Sequence, residues 1–361
     1  MLEVTAEFVR HWAKQYFVRS HSMLRFTRGL CADRRWIAVL LVAAGVLLAA
    51  CGDGGSTTST AVRTPGVVAT PASSAAGSPA LSSTGCTPAR SHDSGSFAAT
   101  LTSGELEREY ILYVPTSYTG EDAMPLVVNL HGHGSNAGEQ AFYSGLPAKA
   151  EEEGFIVVTP QGTGMEPHWN FTTVEAGAPD DVAFISELLD TLESGLCIDP
   201  SRVYAAGISN GAAMSVTLAC FLSDRIAAIA PIAGTFFFPG CPSVRPVSVI
   251  AFHGTEDSLV PFEGGNVGES GVRVAPVEDS IQEWAEHGGC ADVAKEEQAT
   301  EHVRLVLYEA CDQGAAVELY AVEGGGHTWP GALIDIPLGA TTHEISATDL
   351  MWAFFEAHPK P

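Results

Sequence analysis

A chain of 361 residues with 46% hydrophobic and only 17% charged side chains has ample material for one large core, which excludes a wholly disordered protein. Its 43 acidic against 18 basic residues give a formal net charge of −25. Such a surface repels phosphate backbones and anionic bilayers, so nucleic acid is not an expected partner and a membrane is one only through an anchor. A saline habitat and plain solubility both fit this balance.

The first landmark is an uncharged apolar run at 36–50, preceded by Arg25, Arg28, Arg34 and Arg35. It is shorter than the ~20 residues that span a bilayer, and suits the core of a signal peptide. The run ends in Leu48-Ala49-Ala50-Cys51-Gly52, which resembles a bacterial lipobox. That resemblance implies cleavage before Cys51, a lipid on its thiol and an extracytoplasmic location, either tethered to the membrane or secreted. The basic leader is long, and Met23 competes with Met1 as the true start. Residues 51–95 are rich in Ser, Thr, Gly, Ala and Pro without apolar periodicity. Such a stretch buries too little surface to offset its ordering entropy and is expected to be a flexible tether.

Of eight cysteines, Cys86, Cys197, Cys220, Cys241, Cys290 and Cys311 lie beyond Cys51. An even number in an exported chain points to disulfides, and several connectivities are open. The preferred pairs are Cys290–Cys311, Cys220–Cys241 and Cys86–Cys197. None has the tight C-x-x-C spacing of a zinc or redox site.

From residue 96 to 361 one catalytic domain is expected. Strand-like runs at 109–114, 126–130, 155–158, 202–206, 247–252 and 317–322 alternate with helical spacing at 139–153, 181–194, 212–220 and 347–357. This alternation predicts an α/β fold with a mostly parallel sheet flanked by helices on both faces.

Between the run at 202–206 and the helix after it stands Gly207-Ile208-Ser209-Asn210-Gly211. Strand, G-x-S-x-G and helix form the setting of a nucleophile elbow, which lifts a serine hydroxyl clear of the sheet. A serine hydroxyl is a weak nucleophile until a base removes its proton, and that base needs a carboxylate to orient it. Both come later in the chain, in the order the fold requires. His253-Gly254-Thr255-Glu256-Asp257 ends a buried-looking strand and supplies the acid, Asp257 being preferred to Glu256. Gly324-Gly325-Gly326-His327-Thr328-Trp329 places His327 on a glycine-rich loop able to approach Ser209. Upstream, Leu130-His131-Gly132-His133-Gly134 follows a strand and looks like an oxyanion loop, whose donors would be the backbone N–H groups of His133 and Asn210. His131 and His253 read as loop anchors. No carboxylate pattern accompanies His131 and His133, so no metal is expected there.

These segments, with His168-Trp169-Asn170-Phe171, Asp180-Asp181-Val182-Ala183-Phe184-Ile185 and His327-Thr328-Trp329-Pro330-Gly331, resemble the exported polyhydroxybutyrate depolymerases and feruloyl esterases of carbohydrate esterase family one. The resemblance implies an α/β-hydrolase fold, no metal or organic cofactor, and hydrolysis of small or oligomeric carboxylic esters through an acyl-enzyme. It assigns Ser209, Asp257 and His327 to the triad and places Trp169, with Trp329, at the substrate, a buried core position being the alternative for Trp169. Asp180 and Asp181 read as helix-capping. Where many relatives have Cys or Gly after the oxyanion His-Gly, this chain has His133. No polymer-binding domain follows the last helix, which favours soluble esters or oligomers over crystalline polyester. A serine peptidase of the same fold and a ligand-binding lipoprotein with a relic pocket are the competing readings.

Overall fold

The structure, a computed structural model, describes residues 82–361 apart from 172–176, 238–239, 269 and 271. The expected signal peptide, Met23, Cys51 and the expected tether up to residue 81 lie outside the described residues.

In chain order the elements are β1 (Gly95–Ser103), β2 (Leu106–Val114), β3 (Met124–Leu130), α1 (Ala137–Ser144), α2 (Leu146–Glu153), β4 (Ile156–Pro160), α3 (Asp181–Gly195), β5 (Ile198–Ile208), α4 (Asn210–Phe221), β6 (Ala228–Ile232) and β7 (Ser248–Gly254). A two-residue ribbon, β8 (Gly265–Asn266) and β9 (Arg273–Val274), comes next. Then come α5 (Val277–His287), β10 (Lys295–Thr300), β11 (Val303–Tyr308), β12 (Val317–Val322) and α6 (Ala347–Ala357).

One ten-stranded sheet runs in the order β1-β2-β4-β3-β5-β6-β7-β12-β11-β10. From β4 to β12 the neighbours are parallel, and antiparallel hairpins flank them on both sides. The parallel strands read as unbroken apolar runs because both faces are covered. On β3, Leu126 and Val128 join the core beneath α3, α4 and α5, while Val127 joins the core beneath α1, α2 and α6. Every residue of β4, β6 and β7 is buried. β10, by contrast, is a charged, exposed edge strand, which discourages pairing with another chain.

The helix expected at 139–153 is two helices. Gly145 sits at φ 66°, ending α1 and starting α2 in one left-handed residue. Within the stretch expected to be tether, Ser83 and Cys86 are bonded to the domain. The Ser83 N–H donates to the Ile198 carbonyl, and its hydroxyl accepts the Ile198 N–H and donates to the Leu196 carbonyl at 2.8 Å. Cys86 is bonded to Cys197 just ahead of β5. Cys220–Cys241 and Cys290–Cys311 complete the set of preferred pairs. Among the described residues no helix is long and apolar enough to cross a membrane.

The register aligns the strand ends that matter. Leu130 pairs with Gly207, Ile208 with Ile232, Ile232 with Phe252, and Gly254 with Val322. The loops after β3, β5, β7 and β12 therefore leave one edge of the sheet side by side. In open α/β sheets ligands bind outside this carboxyl edge.

Candidate active site

Ser209 stands between β5 and α4 with φ 58° and ψ −121°, a conformation rarely adopted by a residue with a side chain. Close packing makes the elbow possible only with glycine on either side. A Cβ on Gly207 would lie 2.5 Å from the Gly211 carbonyl oxygen, and one on Gly211 would lie 2.3 Å from that of Leu130. The Ser209 N–H donates to the Ile232 carbonyl at 2.9 Å. Asn210, Gly211 and Ala212 open α4, so their N–H groups belong to the unpaired donors of a helix start.

Two strands along, Asp257 follows β7 and is buried. Its Oδ1 accepts the N–H groups of Leu259 and Val260, each at 2.9 Å. Its Oδ2 accepts Nδ1–H of His327 at 2.7 Å and has Nε2 of His253 at 3.4 Å. Burial alone would raise the carboxyl pKa; the bonds from His253 and His327 outweigh it and hold Asp257 well below the usual carboxylate range. An anion is thus fixed against the back of the His327 ring.

The acid and histidine loops are stitched together through backbone. Thr255 N–H donates to the Val322 carbonyl and Glu256 N–H to that of Gly325, both at 2.9 Å. A Cβ on Gly254 would fall 2.2 Å from the Gly325 oxygen, so the two loops touch only because Gly254 is bare. The exposed Glu256 side chain is not the one that meets His327.

The loop after β3 abuts the elbow: a Cβ on Gly132 would stand 3.5 Å from that of Ser209. His131 is buried; its Nδ1–H donates to the Gly132 carbonyl and its Nε2 accepts the Gly162 N–H. Burial pushes its pKa down to about 4, more than the Gly132 bond lifts it, so the ring is a neutral anchor. His133 is half exposed, stacks on His168 at 5.3 Å and lies 3.4 Å from Glu166. The Gly134 N–H donates to the Pro167 carbonyl at 2.8 Å, tying this loop to the 162–168 segment.

Two expectations need correction. Trp169 is 1% exposed and Trp329 is wholly buried, so neither presents a face to substrate. The Trp169 indole donates to the His131 carbonyl at 2.9 Å, and its backbone N–H and carbonyl clasp the two ends of the Asn210 side-chain amide. Trp329 donates its indole N–H to Thr348 and its backbone N–H to the Tyr143 hydroxyl. Both rings hold loops from behind. Asp180 caps α3, as expected, by accepting the Ala183 N–H. Asp181 instead meets Arg108 in a buried ion pair at 2.7 Å, with the guanidinium 3.8 Å over the Phe184 ring. It also accepts the Asn170 N–H, which fixes the segment carrying Trp169. Among the described residues no group of three or more His, Cys, Asp or Glu side chains is arranged to hold a metal ion.

Residues 108–261 match the family model described as esterase PHB depolymerase. A probable feruloyl esterase C from Aspergillus niger is 30% identical over 260 residues, covering 69% of this chain and 84% of that protein. The chain belongs to this polyhydroxybutyrate depolymerase and feruloyl esterase-like family. Feruloyl esterase B from Piromyces equi is 34% identical over 230 residues, covering 61% of this chain but only 42% of that longer protein. An acetyl xylan esterase from Aspergillus awamori shares the α/β-hydrolase fold, with a TM-score of 0.50 and 16% identity over 72% of this chain and 99% of that one.

In this esterase the supporting residues were the hardest to read from sequence. Arg108 carried no signal beyond being a lone cation among strand residues. Tyr143 looked like one more apolar position of a helix.

Proposed function

We propose that this chain is an extracytoplasmic serine esterase that hydrolyses carboxylic esters through an acyl-enzyme. Its substrates would be short-chain, hydroxyalkanoate-oligomer or feruloyl and other carbohydrate-linked esters. The observation that carries the reading is the 2.7 Å bond from His327 Nδ1 to Asp257, at the sheet edge that also presents the strained Ser209. With Nδ1 committed to Asp257, Nε2 is left as the basic nitrogen. In the proposed reaction it takes the Ser209 proton as Oγ attacks the ester carbonyl, and Asp257 stabilises the imidazolium that forms. The backbone N–H groups of His133 and Asn210 would meet the oxyanion, an interaction worth roughly 2.7–4 kcal/mol for one donor. His327 then protonates the leaving alcohol, and a water activated by the same nitrogen releases the acid and restores Ser209.

The feruloyl esterases among the relatives support feruloyl esters as a substrate class. The basic and apolar leader before Cys51 supports export and a lipid anchor. Ser209→Ala is expected to abolish p-nitrophenol release from short-chain nitrophenyl esters and labelling by a fluorophosphonate probe. Activity surviving that change refutes the assignment. A panel of methyl ferulate, acetylated xylan, hydroxybutyrate oligomers and peptide amides ranks the substrates, and preference for the amides would favour a peptidase. An unmodified mature N-terminus away from Cys51 would remove the anchor.

A further inference from the structure

Helix α1 begins at the oxyanion loop and ends against the segment that carries His327. At its start Asn136 caps the Glu139 N–H, and the Ala137 N–H donates to Gln161 Oε1, whose amide nitrogen lies 3.4 Å from His131. At its end the Tyr143 hydroxyl accepts the backbone N–H of Trp329 at 3.0 Å, two residues beyond His327. The next residue, Ser144, gives its carbonyl to Thr348 Oγ1 at 2.6 Å, and that hydroxyl accepts the Trp329 indole N–H at 3.0 Å. Ser144 Oγ also accepts from the Asn129 side-chain amide on β3, and Gln140 donates to Asn129 Oδ1 at 2.8 Å. Asn129, Gln140, Tyr143, Ser144 and Trp329 are all buried.

Away from water each of these polar groups must find its partner inside the protein, and a member left unpaired costs far more than an exposed bond gains. The bonds therefore specify where the Trp329 backbone sits relative to α1, which packing of an indole ring alone would leave free to slide. We infer that Tyr143 and Thr348 are positioning residues that hold the His327 segment, through Trp329, in fixed relation to the oxyanion loop. Base and oxyanion donors then share one rigid support. The inference rests on the proposed role of His327.

The test uses Tyr143→Phe, Thr348→Val and Thr348→Ser, with kcat counted per site titrated by a fluorophosphonate. Both Tyr143→Phe and Thr348→Val are expected to lower kcat about tenfold, a modest fraction of what misplaced catalytic groups can cost, with KM essentially unchanged. The rate of phosphonylation should fall by the same factor, since it depends on serine and base but not on ester binding. Thr348→Ser keeps the hydroxyl and should restore both rates. Wild-type kcat and phosphonylation in Tyr143→Phe or Thr348→Val overturn the inference, whatever the melting temperature. A Thr348→Ser enzyme as slow as Thr348→Val overturns it too. Should Tyr143→Phe not fold, the Thr348 pair decides alone. Ser209→Ala is measured alongside: activity surviving there refutes the triad, whereas activity lost there but intact in Tyr143→Phe refutes only the strut.

Discussion

Replacing Asp257 by Asn exchanges one atom and no volume, and two backbone N–H groups decide how the new side chain must sit. Leu259 and Val260 both donate to Oδ1 at 2.9 Å, so the new amide must turn its oxygen towards them. Its NH2 group then takes the place of Oδ2, 2.7 Å from His327 Nδ1 and 3.4 Å from His253 Nε2. An amide nitrogen only donates, so His327 Nδ1 must become the acceptor and its proton must move to Nε2. In the proposed reaction that is the nitrogen that receives the Ser209 proton. Locking a triad histidine in the wrong tautomer costs about 10⁴ in kcat, which corresponds to about 5 kcal/mol of transition-state stabilisation. The assay is steady-state hydrolysis of p-nitrophenyl acetate at neutral pH, with melting temperatures recorded to count folded enzyme. Glu256→Gln is the control, because that exposed carboxylate offers His327 nothing and should leave kcat at the wild-type value. A fall of less than about tenfold in Asp257→Asn would refute the tautomer argument, as would an equal loss in Glu256→Gln.

Two further substitutions separate support from contact. Trp169→Phe removes the indole donor to the His131 carbonyl and should cost about 1 kcal/mol of stability, with kcat reduced and KM unchanged. A raised KM at unchanged kcat would return Trp169 to the substrate pocket. On β12, burial pushes the Glu318 carboxyl up to about 7. The native state therefore holds this proton more tightly than the unfolded chain. Its contribution is complete below the unfolded carboxylate pKa and is lost as pH rises through the native value. Glu318→Gln should raise the melting temperature above pH 7 and do little in acid; equal shifts at both pH values would contradict the burial argument.

Five of the parallel strands were legible because burial on two faces leaves a continuous apolar run, as at 126–130 and 155–158, whereas the equally buried β6 (Ala228–Ile232), short and interrupted by Pro231, was missed. The elbow, Asp257 and His327 were legible because each lies within a few residues of a strand end in a glycine-rich setting. β1 escaped notice because an edge strand such as Gly95–Ser103 only half-buries its alternate residues Phe97, Ala99 and Leu101, with exposed ones between them. β10 escaped because Lys295–Thr300 carries charge outward and borrows its place from the neighbouring β11. The two tryptophans were misplaced for a different reason. A motif fixes that Trp169 sits near Ser209 in space, but not which side of the oxyanion loop the ring occupies. The ring goes behind, because its N–H needs the His131 carbonyl and its apolar body needs the core.

The serine itself shows how much of a site lies outside its motif. A residue with a side chain at φ 58° is strained by of order 1–3 kcal/mol and persists only where its surroundings over-determine it. Its N–H is held by the end of β6, and its carbonyl accepts the Ala213 N–H at 3.0 Å in the first turn of α4. The Asn210 side chain is gripped at both ends by the Trp169 backbone, which the Arg108–Asp181 pair fixes in turn through Asn170. A third glycine completes the enclosure. A Cβ on Gly234, beyond β6, would stand 2.5 Å from the Ser209 carbonyl oxygen and 2.8 Å from Ala212 Cβ. Gly234 belongs to the elbow as fully as Gly207 and Gly211, yet no spacing rule reaches it, because the constraint crosses from one parallel strand to the next. The strain at Ser209 is therefore maintained by the sheet, and a change at Gly234 would disturb Ser209 without touching the pentapeptide.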